Sequence, residues 1–112
     1  MKTIYARPVH ELSWTRHVKE KMRHYQLSES RIKRVIAHPE RREVGVAPRT
    51  VAAMQPITKK STTTQEIWVM YQDRGRTRHV ITAWRYPGKS PVRDVIPIPE
   101  DIRKELLADN LE

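Results

Sequence analysis

The chain has 112 residues, no cysteine, and 22 lysines and arginines against 13 acids, a formal net charge of +9. That length holds one domain around one core, and the missing cysteines exclude disulfides, thiolate metal sites and cysteine nucleophiles. A basic excess of this size attracts phosphate-bearing polymers through a long-range, salt-sensitive field. The bases are unevenly spread: residues 1–56 hold twelve against five acids, whereas the last thirteen residues hold five acids and two bases. The opening residues lack the apolar run of a signal peptide, and no stretch is long and apolar enough to span a bilayer. The expectation is a cytoplasmic protein without membrane contact.

In chain order, Lys2 to Val9 reads as a short leading strand limited by Pro8. Ser13 is expected to cap a helix running to Tyr25, with Trp14, Val18, Met22 and Tyr25 as its buried stripe. Ser28 caps a second helix, Glu29 sits favourably in its positive first turn, and Ile32, Val35 and Ile36 form its core face. His38-Pro39 ends it, because the residue before proline avoids helical angles. Val44 and Val46 alternate with Glu43 and Gly45 as a strand, and Ala47 to Thr50 turns the chain back into a strand beginning at Val51 to Met54. Pro56 to Gln65 is a polar loop. Ile67-Trp68-Val69-Met70-Tyr71 is apolar at both parities, the mark of a central strand covered on both faces. Asp73-Arg74-Gly75 turns into a hairpin partner over Arg76 to Arg85. Residues 87–112 form a proline-punctuated extension, with Arg93 to Ile98 extended. Pro99, Glu100 and Asp101 then open a closing helix containing Ile102, Leu106 and Leu107. The predicted class is α+β: two N-terminal helices on an antiparallel sheet of about four strands, with a short C-terminal helix.

Four residues stand out chemically. His17 and Lys21 share a flank of the first helix, at the edge of its apolar stripe and therefore expected at the open margin of the sheet. An imidazole there can move protons near neutral pH. Thr82 is a polar residue within an apolar run, and Arg85 ends that strand where a guanidinium can clamp phosphate oxygens. On strict alternation, Arg78, Val80, Thr82 and Trp84 share one face and His79, Ile81, Ala83 and Arg85 the other. Arg16, His24, Arg42, Arg78 and Tyr86 are the candidates for contacting a nucleic-acid backbone. Arg41, Arg49, Arg74 and Arg76 read as solvated turn and edge charges, and Trp68 and Trp84 as core. His17 and His24 are two turns apart with no carboxylate completing a familiar ligand set, so no metal and no cofactor is expected.

The run His17-Val18-Lys19-Glu20-Lys21-Met22, then Leu27-Ser28-Glu29-Ser30-Arg31-Ile32, then Val35 to Glu40, resembles small bacterial domains of the RelE and BrnT type, within the barnase–EndoU–colicin–RelE superfamily. Those helices read His-Ala-x-x-Arg-Met, an Arg-Gly-Ile-Ser link, and a second helix ending x-Pro-Glu. Val80-Ile81-Thr82 followed by an aromatic resembles the closing strand. The likeness covers residues 13–86. It departs at Lys21, where the pattern has arginine, and at Tyr25-Gln26, where it has Arg-Gly. The resemblance implies a toxin-like, metal-independent endoribonuclease in which a ribose 2′-hydroxyl attacks the adjacent phosphate. His17 would then serve as general base or acid, Lys21 and Arg85 would stabilise phosphorane charge, and Thr82 would position the phosphate or a partner. The implied partners are RNA, with or without the ribosome, and an acidic antitoxin protein. Two further readings share the charge: a non-catalytic basic nucleic-acid-binding module, and a toxin-like domain neutralised by a partner.

Overall fold

The computed structural model describes residues 11–57, 65–91 and 96–107. The strand expected over Lys2 to Val9 lies outside the described residues. The order is β1 (Glu11–Trp14), α1 (Arg16–Tyr25), α2 (Glu29–Ala37), β2 (Arg41–Val44), β3 (Thr50–Ile57), β4 (Gln65–Arg74), β5 (Thr77–Pro87) and α3 (Glu100–Leu107). The class is α+β, as expected, but the sheet has five strands, in the order β1-β5-β4-β3-β2, and it is mixed. The extra strand is β1, which pairs in parallel with β5 from Glu11↔Thr77 to Trp14↔Val80.

That strand corrects the predicted start of α1. Ser13 and Trp14 belong to β1, and Thr15 is the cap instead: its hydroxyl accepts from the Val18 amide at 3.0 Å and donates to the Ile81 carbonyl at 2.9 Å. Thr15 therefore satisfies an orphan helix amide and ties α1 to β5 with one side chain. The other helix boundaries follow the sequence. Ser28 caps α2 through the Arg31 amide at 3.1 Å, and His38 ends it. At the end of α1, Gln26 adopts a left-handed φ of 57°, and its amide and that of Leu27 return to carbonyls of the last turn.

The expected polar loop is also shorter than predicted, since Pro56 and Ile57 extend β3 and Gln65 begins β4. Pro56 is tolerated there because β2 pairs only with Val51–Met54, which leaves the far end of β3 with one free edge. Val46 lies beyond β2 in the turn, not within it as expected. Gly45 meets the close approach of that turn, for a Cβ there would fall 2.0 Å from Thr50 Oγ1. The hairpin turn at Gly75 (φ +59°) is as predicted.

Two apolar layers sandwich the sheet. Val18, Leu27, Ile32 and Val35 from α1 and α2 pack on Ala53, Ile67, Val69, Tyr71, Val80 and Ala83. On the other face Ile96 and Ile102 pack on Ala52, Met54, Trp68, Met70, Ile81 and Trp84. The apolar run of β4 is thus covered on both sides, and Trp68 and Trp84 are stacked core residues, 6.0 Å apart and fully buried. Strict alternation fails in β5. Tyr71 pairs with Val80 and Met70 with Thr82, so Ile81 is an extra residue. The bulge returns Val80 to the face of Ala83 and sends Ile81 to the face of Trp84.

Candidate functional site

β1 stops opposite Val80, and from Ile81 onward β5 has no strand on that side. α1 begins there, roped to the bulge by Thr15. It straddles the edge. Val18 enters the core beneath the helices, while His17 faces Thr82 and Lys21 faces α3. The four-residue spacing that places His17 and Lys21 on one flank is legible in the sequence. Their surroundings are not.

His17 was expected at an open margin; it is 3 % exposed. Its Nε2 lies 2.9 Å from Thr82 Oγ1, a residue that is itself fully buried. Its Nδ1 lies 2.5 Å from Glu105 Oε2 of α3. That contact is close but undirected: Nδ1 makes no hydrogen bond of acceptable geometry. The carboxylate therefore acts on the ring by charge rather than by fixing its orientation, and Thr82 is the group that holds the imidazole. Lys21 completes the cluster. Its ammonium donates to Asp101 Oδ2 at 2.6 Å and sits 2.9 Å from Glu105 Oε1. Burial alone would lower the Lys21 pKa, but the Asp101 and Glu105 carboxylates outweigh it and hold the group above its ordinary 10.5. Burial works to raise Asp101, and the Lys21 ammonium reverses this, leaving the carboxyl below its ordinary 3.8. Tyr25, one turn beyond Lys21, is pushed above 10.0 by burial and by the charge of Asp101.

The sequence showed no carboxylate completing a familiar ligand set with His17, yet the fold brings two carboxylates beside it. His17, Glu20 and Glu105 bring three ligand-type atoms within 4.8 Å of one another. The set offers one nitrogen and two carboxylates, and Lys21 already neutralises Glu105, so an ammonium stands beside the place a cation would take. Sequence spacing missed this grouping because Glu105 is 88 residues from His17.

Arg85 is not part of the cluster. Its Nε donates to the Tyr25 carbonyl at 2.7 Å, Nη2 to the Gln26 carbonyl at 3.1 Å, and Nη1 to Gln65 Oε1 at 3.3 Å. The guanidinium thus caps the carbonyl end of α1, where a cation also suits the helix dipole. Lys21 is the cation that shares the Glu105 carboxylate with His17. Of the proposed backbone contacts, Arg16, His24 and Arg42 are exposed. Arg78 is bound to Asp73 through two donors at 2.7 and 2.9 Å and lies over the Tyr71 ring. Tyr86 packs against the second core layer. Beside it opens a cleft of about 670 Å³ lined by Tyr25, Arg85, Tyr86, Pro97, Ile98 and Arg103, among others.

A second polar centre was not anticipated. Glu66, 1 % exposed, accepts from Trp68 Nε1 at 3.0 Å, Ser90 Oγ at 2.5 Å and the Ser90 amide at 3.1 Å. Arg41 then donates to Ser90 Oγ at 2.8 Å and pairs with Glu43 at 2.6 Å. Far from being a solvated turn charge, Arg41 pins the chain after β5 to the sheet.

Compared with known proteins, the chain matches no family model, no curated protein and no solved structure.

Proposed function

We propose that this chain is an RNA-cleaving domain of the RelE and BrnT toxin type, working without a metal, with His17 as its proton-transfer group. The supporting observation is the pairing of His17 Nε2 with buried Thr82 Oγ1 at 2.9 Å, with Lys21 one helical turn away. When Nε2 carries the hydrogen and donates to Thr82, the lone pair is left on Nδ1, the nitrogen that faces α3. That nitrogen takes the proton of a ribose 2′-hydroxyl as the oxygen attacks the adjacent phosphorus. The bond from phosphorus to O5′ breaks, O5′ acquires a proton from solvent, and a 2′,3′-cyclic phosphate and a 5′-hydroxyl result. Lys21 stabilises the charge that accumulates on the phosphorane oxygens. Thr82 meets the ring at Nε2, the nitrogen that takes no part in the transfer, and is therefore a positioning residue.

Purified protein incubated with bulk RNA or ribosomes in EDTA is expected to generate cyclic-phosphate ends. His17→Ala should reduce the rate at least a hundredfold, the usual worth of a general base. Thr82→Ser should retain activity that Thr82→Val loses. Equal cutting by wild type and His17→Ala removes the imidazole from the reaction.

The second reading, a non-catalytic nucleic-acid-binding module, is favoured by the solvent side of the helical layer. There Arg16, Lys19, Arg23, Lys33 and Arg34 are exposed alongside fewer acids. On that reading binding persists undiminished in His17→Ala.

A further inference from the structure

The acidic close of the chain has its counterpart at the His17 cluster. Asp101 and Glu105, four residues apart on α3, face Lys21 and His17, four residues apart on α1, and each cation or imidazole meets a carboxylate at 2.5 to 2.9 Å. A carboxylate presents a pair of oxygens sharing one negative charge, as a phosphodiester does, and at Lys21 such oxygens sit where a donor for phosphate would be used. The sign of the local charge matters as much. Glu20, Asp101 and Glu105 oppose the single ammonium of Lys21, so this spot is electronegative within a chain of net charge +9. A polyanion is repelled from the one place where the chemistry is assembled, for as long as α3 remains there.

We propose that α3 is an internal pseudosubstrate. Its Asp101 and Glu105 carboxylates occupy the position at Lys21 that an RNA phosphate takes, and Glu105 also covers the Nδ1 side of His17 where the ribose hydroxyl must arrive, so the resting chain is closed and RNA competes with α3. The identity of the competitor rests on the RNA-cleaving reading above. α3 is suited to exchange. It is two turns long, its described side chains include one fully buried apolar anchor, Ile102, with Leu106 half-buried, and its remaining hold is ionic. Ion pairs of this kind are weakened by salt and by competing anions. With α3 displaced, Lys21 and His17 face one carboxylate, Glu20, instead of three.

The test uses the full chain and a labelled 2′-O-methyl oligoribonucleotide, which binds but has no 2′-hydroxyl to attack. Asp101→Asn combined with Glu105→Gln keeps the shape of α3 and removes its charge. This double variant is expected to bind the probe at least tenfold more tightly than wild type. Removing two charges elsewhere, by Glu29→Gln with Glu40→Gln, should give less than threefold. Hydrogen exchange should show the α3 amides of wild type losing protection when the probe is added. Affinity equal to that of the remote double variant, with α3 equally protected in both conditions, overturns the proposal. Should the double variant melt early, Asp101→Asn alone supplies the same readout, since that side chain is 42 % exposed and its neutralisation leaves Glu105 paired with Lys21. Cutting of unmodified RNA separates the two ideas. Tighter binding without cutting by either protein leaves α3 as a gate on an anion site and removes the cleavage reading. Equal, His17-dependent cutting with unchanged affinity keeps the cleavage reading and discards the pseudosubstrate.

Discussion

Glu66 shows how a single buried charge is made tolerable. Its two oxygens take three donors, from Trp68 and twice from Ser90, so the desolvation of the carboxylate is answered by directed hydrogen bonds. Glu66→Gln replaces an acceptor with a donor against at least one of those groups. The expected loss is about 1–3 kcal/mol, the usual result of stranding a buried polar atom, read from chemical denaturation. An unchanged midpoint and slope would show that the site admits a water or rearranges. In sequence, Glu66 is one acid at the start of an apolar run, and Ser90 lies 24 residues on. His17 is the same lesson at the candidate site. Its residue type and its flank were readable, but its burial was not, because the groups its ring meets, Thr82 and Glu105, lie far along the chain.

At the level of elements, α3 is held to α1 by charges whose titration sets a pH window. The Asp101 pKa is depressed on folding, so its contribution is complete above the ordinary value near 3.8 and is lost as pH falls through the lower folded value. The Lys21 pKa is raised, so its contribution is complete below 10.5 and is lost as pH rises through the higher folded value. Glu105, Glu20, His17 and Tyr25 face the same pair. Docking of α3 is therefore expected to be strongest between about pH 4 and 10.5, and to weaken outside that range. Exchange or proteolysis confined to α3, followed across pH, checks this. Protection of α3 that is indifferent to acid below pH 4 would assign its docking to Ile102 alone. The helices themselves came readily from the sequence, since Ser28, Glu29 and His38-Pro39 act on their immediate neighbours. β1 did not, because four residues pair with a strand more than sixty positions away and borrow a serine that would otherwise cap a helix.

For the whole molecule, the basic field is carried by exposed side chains and not by the His17 cluster, which is locally electronegative. If RNA is the partner, as proposed, its affinity should fall with salt by about 0.7 in log K per log unit for each phosphate contact. Arg16→Ala or Arg42→Ala should each lower that slope by about one contact, while His17→Ala leaves it unchanged. Binding titrations from 50 to 300 mM salt measure it. A slope unaffected by either arginine would place the contact surface elsewhere, for example on the exposed cations of α2. Among the described residues no helix is long and apolar enough to cross a membrane.

The sequence by itself determined the α+β class, α2, the Gly75 hairpin, the doubly covered β4 and the closing helix. Each depends on periodicity, caps or turn residues acting over a few positions. It also determined that an imidazole and an ammonium share one flank of α1. Only the tertiary structure decided what meets them. The β5 bulge, which pairing alone creates, sets which residues share the face of Trp84, and the terminus of β1 frees the edge where α1 docks. The carboxylates that fill the site arrive from 80 and more residues along the chain. Contacts of that range are set by how the layers pack, and no local pattern of residue types encodes them.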